Sequence, residues 1–90
     1  MTEVDCNKAG LAVGLLLGGW HLLWSLLVLV GWGQPLIDFV LWMHMIHLPL
    51  VVGPFELIAA VVLVLLTSLT GYAIGWVLAY IWNALHRAAV

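Results

Sequence analysis

The run Gly10-Leu11-Ala12-Val13-Gly14-Leu15-Leu16-Leu17-Gly18-Gly19-Trp20-His21-Leu22-Leu23-Trp24-Ser25 decides the fold. Glycine recurs every four residues at positions 10, 14 and 18, and His21 and Ser25 continue that face three and seven positions after Gly18. On a helix of 3.6 residues per turn these positions form one narrow stripe, and large apolar side chains fill the rest of the circumference. From Ala9 to Gly33 the only ionisable residue is His21. At roughly 1.5 Å per residue this stretch exceeds the ~30 Å hydrocarbon core of a bilayer. The pattern predicts a first transmembrane helix over 9–33.

A second run answers it. Leu57 to Trp82 carries no charge, and Thr67, Gly71, Gly75 and Ala79 form a matching small-residue row with Asn83 drifting off its end. Gly53-Pro54 opens this run and Glu56 follows. An early proline and a first-turn carboxylate both suit the orphan N–H groups of a helix start. The predicted second span, 54–86, is longer than one bilayer needs, so tilt or an overhang is expected. Lipid tails are as apolar as leucine, so helices in a bilayer associate where small residues let backbones approach and polar groups pair. The two rows agree in depth if the helices run antiparallel, with Gly14 expected opposite about Val77 and His21 opposite about Thr70. They either seal the hairpin against itself or present one row to another subunit.

The connecting segment, 34–53, is apolar but carries Asp38, His44, His47 and Pro49. A third span would bury two imidazoles and join the next helix through little more than Gly53-Pro54. The preferred reading is a helix of about 35–47 in or dipping into the interface, ended by Pro49, with protein as well as lipid covering it. Asp38 and Glu56 read as first-turn carboxylates that answer helix dipoles and form an outer polar patch with Gln34.

Composition agrees. The 90 residues are 67% hydrophobic and 7% charged, with a mean hydropathy of +1.26. A soluble domain keeps about a quarter of its residues charged, and disordered chains lack apolar residues. A net charge of −2 offers nucleic-acid phosphates nothing to neutralise. Cys6 stands alone, so no intramolecular disulfide forms. The polar tail 1–8 sets Glu3 and Asp5 against Lys8, a poor secretory leader, so the first apolar run is expected to stay as a span. Lys8 and Arg87 would share a side and Asp38 and Glu56 the other, which predicts cytoplasmic termini, with 87–90 as a short cytoplasmic tail. Trp32 and Trp42 then fall at the outer interface, and Trp76, Tyr80 and Trp82 towards the inner one. Trp20 and Trp24 lie mid-span, where they fill a packing or lipid-facing groove.

Chemistry has two footholds. His21 is the one ionisable residue at the centre of a span, a default functional candidate and a possible haem or chlorophyll ligand. The simpler reading pairs its imidazole with Ser25, Thr67, Ser68 or Thr70. In Met43-His44-Met45-Ile46-His47 a helix would place His44 and His47 on one face with Met43, a set suited to Cu(I). The simpler reading there is histidines at headgroup level beside adaptable methionines. No nucleophile elbow, phosphate loop or zincin motif occurs, so no enzyme and no cofactor are expected.

The stretches Gly19-Trp20-His21-Leu22-Leu23-Trp24-Ser25, Gln34-Pro35-Leu36-Ile37-Asp38-Phe39, Gly71-Tyr72-Ala73-Ile74-Gly75-Trp76 and Ile81-Trp82-Asn83-Ala84-Leu85-His86-Arg87 together resemble a group of uncharacterised short bacterial inner-membrane proteins. The resemblance covers nearly the whole chain. It implies a bacterial inner-membrane location and two helices, and it brings no activity with it.

The expected protein is therefore all-α, an integral membrane antiparallel two-helix hairpin with a short interfacial or re-entrant helix between its spans. Gly10, Gly14, Gly18, His21, Ser25, Thr67, Gly71, Gly75 and Ala79 are its expected helix-packing residues. The expected role is a non-enzymatic structural or regulatory subunit, self-associating or joined to another membrane protein. A holin-like pore, or haem or metal binding through His21 or His44 and His47, are the rival functions.

Overall fold

A computed structural model describes residues 3–88 and contains three helices, with no strand among the described residues. They are α1 (Cys6–Leu29), α2 (Gly33–Met43) and α3 (Leu57–Ala88). Both α1 and α3 are long and apolar enough to cross a membrane. They pack along their length and run antiparallel, since Gly10 meets Gly75 and Tyr72, Gly14 meets Gly71 and Ser68, and Gly18 meets Ser68.

The register differs from expectation. Gly14 faces Gly71 where Val77 was expected, six residues away along α3 or roughly 9 Å. Matching the helices by depth alone left their sliding free. Contact between two glycine surfaces fixes it, because backbones come closest only where both partners lack a side chain.

Helix ends follow local chemistry. α1 begins at Cys6, inside what reads as a polar tail, because the Asp5 carboxylate accepts from the N–H groups of Asn7 at 2.9 Å and Lys8 at 3.2 Å. Those are two of the first-turn donors that have no partner within the helix. α1 ends on Gly31, whose φ of +87° closes a turn in which Trp32 N–H donates to the Leu27 carbonyl at 2.8 Å. α2 ends in the same way on a residue ill suited to it. Met45 has a φ of +60°, and Ile46 N–H donates to the Leu41 carbonyl at 2.9 Å. The helix expected to reach His47 therefore stops at Met43, before Pro49 can act. Nor are Asp38 and Glu56 first-turn carboxylates. Asp38 lies mid-way along α2, and Glu56 precedes α3, with its carbonyl accepting from Ala60 N–H at 3.0 Å. Gly53-Pro54 belongs to the extended connection and not to the first turn of α3.

α3 outruns α1, 32 residues against 24, and its overhang lies at the end that holds both termini. The N-terminal segment covers it. Val4 N–H donates to Asn83 Oδ1 and Asn83 Nδ2 donates to the Val4 carbonyl, each at 2.8 Å, and Glu3 reaches Arg87 at 3.2 Å. Tyr72 donates to Asn7 at 2.7 Å. On the outer surface of this end Trp76 stacks on Tyr80, and His86 lies against Trp82.

At the opposite end α2 rests on α1 alone and makes no packing contact with α3. The Cα envelope is 52 × 32 × 15 Å. Two packed helices need a width of only roughly 13 Å, so α2 and the connection reach out sideways. Protein covers one side of α2, and Phe39 and Trp42 remain exposed. Gln34 pins the connection to this helix. Its Nε2 donates to Asp38 at 2.9 Å and to the Leu50 carbonyl at 2.8 Å, and its Oε1 accepts from Val52 N–H at 2.6 Å.

Replacing Gln34 by Ala removes both backbone bonds to the connection. Hydrogen exchange in detergent micelles should show the Val52 amide exchanging about 5- to 30-fold faster, with the amides of α1 and α3 unchanged. Replacing Met45 by Gly should raise stability by up to about 1 kcal/mol, read from thermal unfolding, because glycine adopts that backbone conformation without a steric penalty.

Candidate functional site

Among the expected packing residues the glycines, Ser25 and Ala79 are buried, and His21 and Thr67 are half-buried. Gly10, Gly14, Gly18 and Ser25 are the buried residues of α1, and Gly71, Gly75, Ala79 and Asn83 are buried on α3. Their period of four keeps each row on one helix face. What the rows make is a contact between backbones. A Cβ added at Gly71 would lie 2.7 Å from the Val13 carbonyl oxygen, and one at Gly75 would lie 2.5 Å from that of Ala9. At Gly14 it would meet the Ser68 carbonyl at 2.8 Å and at Gly10 that of Tyr72 at 2.9 Å. Carbonyl oxygens from both helices therefore sit directly over opposing glycines. Within the hairpin the two rows face each other.

His21, Ser25 and Thr67 are placed along this seam but do not bond across it. His21 Nδ1–H donates to the Leu17 carbonyl at 2.8 Å, and Ser25 Oγ–H to the His21 carbonyl at 2.9 Å. Thr67 Oγ1–H donates to the Leu63 carbonyl at 2.8 Å and lies 3.2 Å from that of Val64. Each polar side chain turns back onto its own helix, so the expected pairing of His21 with hydroxyls is not made. A carbonyl four residues earlier is always within reach of such a side chain in a helix, and it needs no help from the partner. Asn83, which the row seemed to lose at its end, makes the strongest polar link between the chain's two ends. An amide placed four residues after Ala79 was the available signal for it.

Beside the seam, on the α2 side, lies a cavity of about 410 Å³. Trp20, His21, Trp24 and Leu27 of α1, Leu36 and Ile37 of α2, and Leu63 of α3 contribute to its wall. Trp20 and Trp24, expected to fill a packing or lipid-facing groove, instead line an open space.

The second candidate set comes apart. His44 follows the last residue of α2 with its Nδ1–H donating to the Val40 carbonyl at 2.7 Å, and His47 lies beyond the turn at Met45. Met43, His44 and His47 therefore share no helix face, because the helix that would align them has ended. Among the described residues no group of three His, Cys, Asp or Glu side chains is placed to hold a metal ion. Every buried side-chain polar atom among them has a hydrogen-bond partner.

Comparison with protein-family models, with curated proteins and with solved structures finds no match for this chain.

The seam gives a sharp contrast between glycines. Gly71→Ala and Gly75→Ala each push a methyl group into an opposing backbone carbonyl and should cost about 1–3 kcal/mol of hairpin stability. Gly19 has nothing within 4 Å of the added atom, so Gly19→Ala should be neutral or stabilising by up to about 1 kcal/mol. Thermal or denaturant unfolding of the three variants in one detergent reads the difference.

Proposed function

We propose that this chain is a small integral membrane protein of the bacterial inner membrane, with both ends cytoplasmic, acting as a non-enzymatic structural or regulatory subunit. The observation that carries the reading is the surface of the hairpin. Large apolar side chains are exposed around both long helices, Ile58 at 80% among them, and Ala79 is the one buried hydrophobic residue among those described. Water would not tolerate such a surface, and acyl chains match it. Protein inside and lipid outside is an arrangement the sequence can maintain only in a bilayer. The bacterial assignment rests on the sequence resemblance. The cytoplasmic side rests on Lys8 and Arg87, which lie at one end of the hairpin, the end where Val4 meets Asn83.

α2 has the character of an interfacial helix. Gln34 and Asp38 make a polar edge on it, and Leu36, Phe39 and Trp42 supply apolar surface. Its lateral reach would lay it along the headgroup boundary.

The large apolar faces exposed on both long helices favour a role in assembly. Because each glycine row already faces the other, a second copy or a larger partner would meet the hairpin on its large-side-chain faces or on α2. A pore-forming oligomer gains little support, since Ser25 and Thr67 turn their hydroxyls onto their own helices.

Two measurements test this reading. In a Cys6→Ser background, cysteines introduced at Glu3 and Leu85 should react with an impermeant maleimide from the same side of the membrane, and one at Val51 from the other. Native mass spectrometry of protein extracted from its own membrane should show a dimer, a larger ring or a stoichiometric partner. A strictly monomeric species with no partner at any protein-to-lipid ratio overturns the subunit reading.

A further inference from the structure

The cavity between α1 and α2 has a composition that the packing of the hairpin does not require. Its volume, about 410 Å³, lies within the range of small-molecule sites, roughly 300–1,000 Å³. Its walls are mostly carbon, with indole rings from Trp20 and Trp24 and aliphatic groups from Leu27, Leu36 and Leu63. The polar groups among the lining side chains are the two indole N–H donors and the imidazole of His21. A carbonyl oxygen can only accept, so the Nδ1 that meets the Leu17 carbonyl at 2.8 Å carries the hydrogen. In the neutral ring the other nitrogen, Nε2, is then an acceptor, and it has no partner among the described residues. It is not sealed inside the protein either, since no buried polar atom there lacks a partner. His21 lies eight residues before the end of α1, about 12 Å along the helix axis. The site is a mostly apolar space that, with α1 set across a bilayer, lies within the hydrocarbon layer, and His21 Nε2 is its free acceptor.

We infer that this cavity binds a membrane-soluble aromatic alcohol of the phenol or quinol class. Its hydroxyl donates to His21 Nε2 and its ring lies against Trp20 and Trp24. An acyl chain would fill the space but leave the nitrogen unpaired, at the desolvation cost of a lone polar group. Water would pair with the nitrogen but lie against walls that are otherwise mostly aliphatic and aromatic carbon, where it makes fewer than its usual hydrogen bonds. A flat ring bearing one hydroxyl meets both requirements, and indole faces favour offset stacking with it. The inference uses the bilayer reading only for the phase from which the ligand comes. It does not depend on oligomeric state, so a monomeric protein that binds the ligand would sink the subunit reading and leave this one standing.

The experiment compares two probes of similar shape, 4-hexylphenol and 4-hexylanisole, in the second of which a methyl group replaces the hydroxyl hydrogen. Each is equilibrated with the full chain in lipid nanodiscs, and partitioning into empty nanodiscs is subtracted. The wild-type protein should bind the phenol about tenfold more tightly than the ether, the effect of one hydrogen bond. His21→Phe keeps the ring and removes the acceptor, so the two probes should bind it within about twofold of each other. Ile37→Trp fills the cavity from the α2 side and should abolish binding of both while circular dichroism stays helical. Equal binding of the two probes by the wild type overturns the inference, as does no binding above empty nanodiscs. A third result overturns it too: hemin that gives a Soret band lost in His21→Phe and displaces the phenol would make the cavity a haem site. The wild-type comparison alone is decisive, so the inference remains open to refutation even if a variant fails to fold.

Discussion

The close approach of two backbones at Gly10 and Gly14 on one helix and Gly71 and Gly75 on the other governs the rest of this structure. In water a hairpin could be held by burying leucine. Between helices surrounded by acyl chains, the setting proposed for this pair, that drive would be absent, and van der Waals contact at short range would have to replace it. Short range demands that side chains be missing from both partners at the same height, so the attraction and the register come from one feature. The register in turn brings Asn83 level with Val4, and it carries α3 past the start of α1 by the length that the N-terminal segment covers. It also sets Leu63 beside His21 and thereby completes the cavity wall.

Polar groups are handled differently in the middle and at the ends. Within the long helices His21, Ser25 and Thr67 bond to carbonyls of their own helix, which satisfies them without committing the partner helix. At the ends amide side chains join segments distant in sequence, Asn83 with Val4 and Gln34 with Leu50 and Val52. A carboxamide carries both donor and acceptor, so it pairs with an extended backbone as a neighbouring strand would. It suits places where the chain leaves a helix and its N–H and C=O groups need new partners.

The sequence was legible where a period carried the information. Four-residue spacing picks out the buried glycines of both helices, and uncharged length marks the two long helices. It was less legible where a single residue decides. Asp5 draws the start of α1 back to Cys6 through two hydrogen bonds, a local cap hidden in a stretch whose composition reads as tail. Met45 closes α2 in a backbone conformation for which glycine is the expected marker, and nothing in the side chain signals it. That early stop separates His44 from His47 and removes the alignment from which a metal site would have been built. The height at which the helices meet also escaped, because charge-free length says where a helix lies in the bilayer only to within a turn or two. The cavity is a tertiary product of three helices. Only the mid-span tryptophans, out of place for an interfacial belt, hinted at it.

The clasp between Val4 and Asn83 joins residues 79 positions apart. While the chain is being made, the segment ahead of α1 has no amide to hold it until synthesis has passed Asn83. The segment ahead of α1 is thus made before α3 but fastened only after it. A bulky domain fused ahead of Glu3 would have to leave that late docking step free, whereas cargo carried by the connection between α2 and α3 would not compete with it.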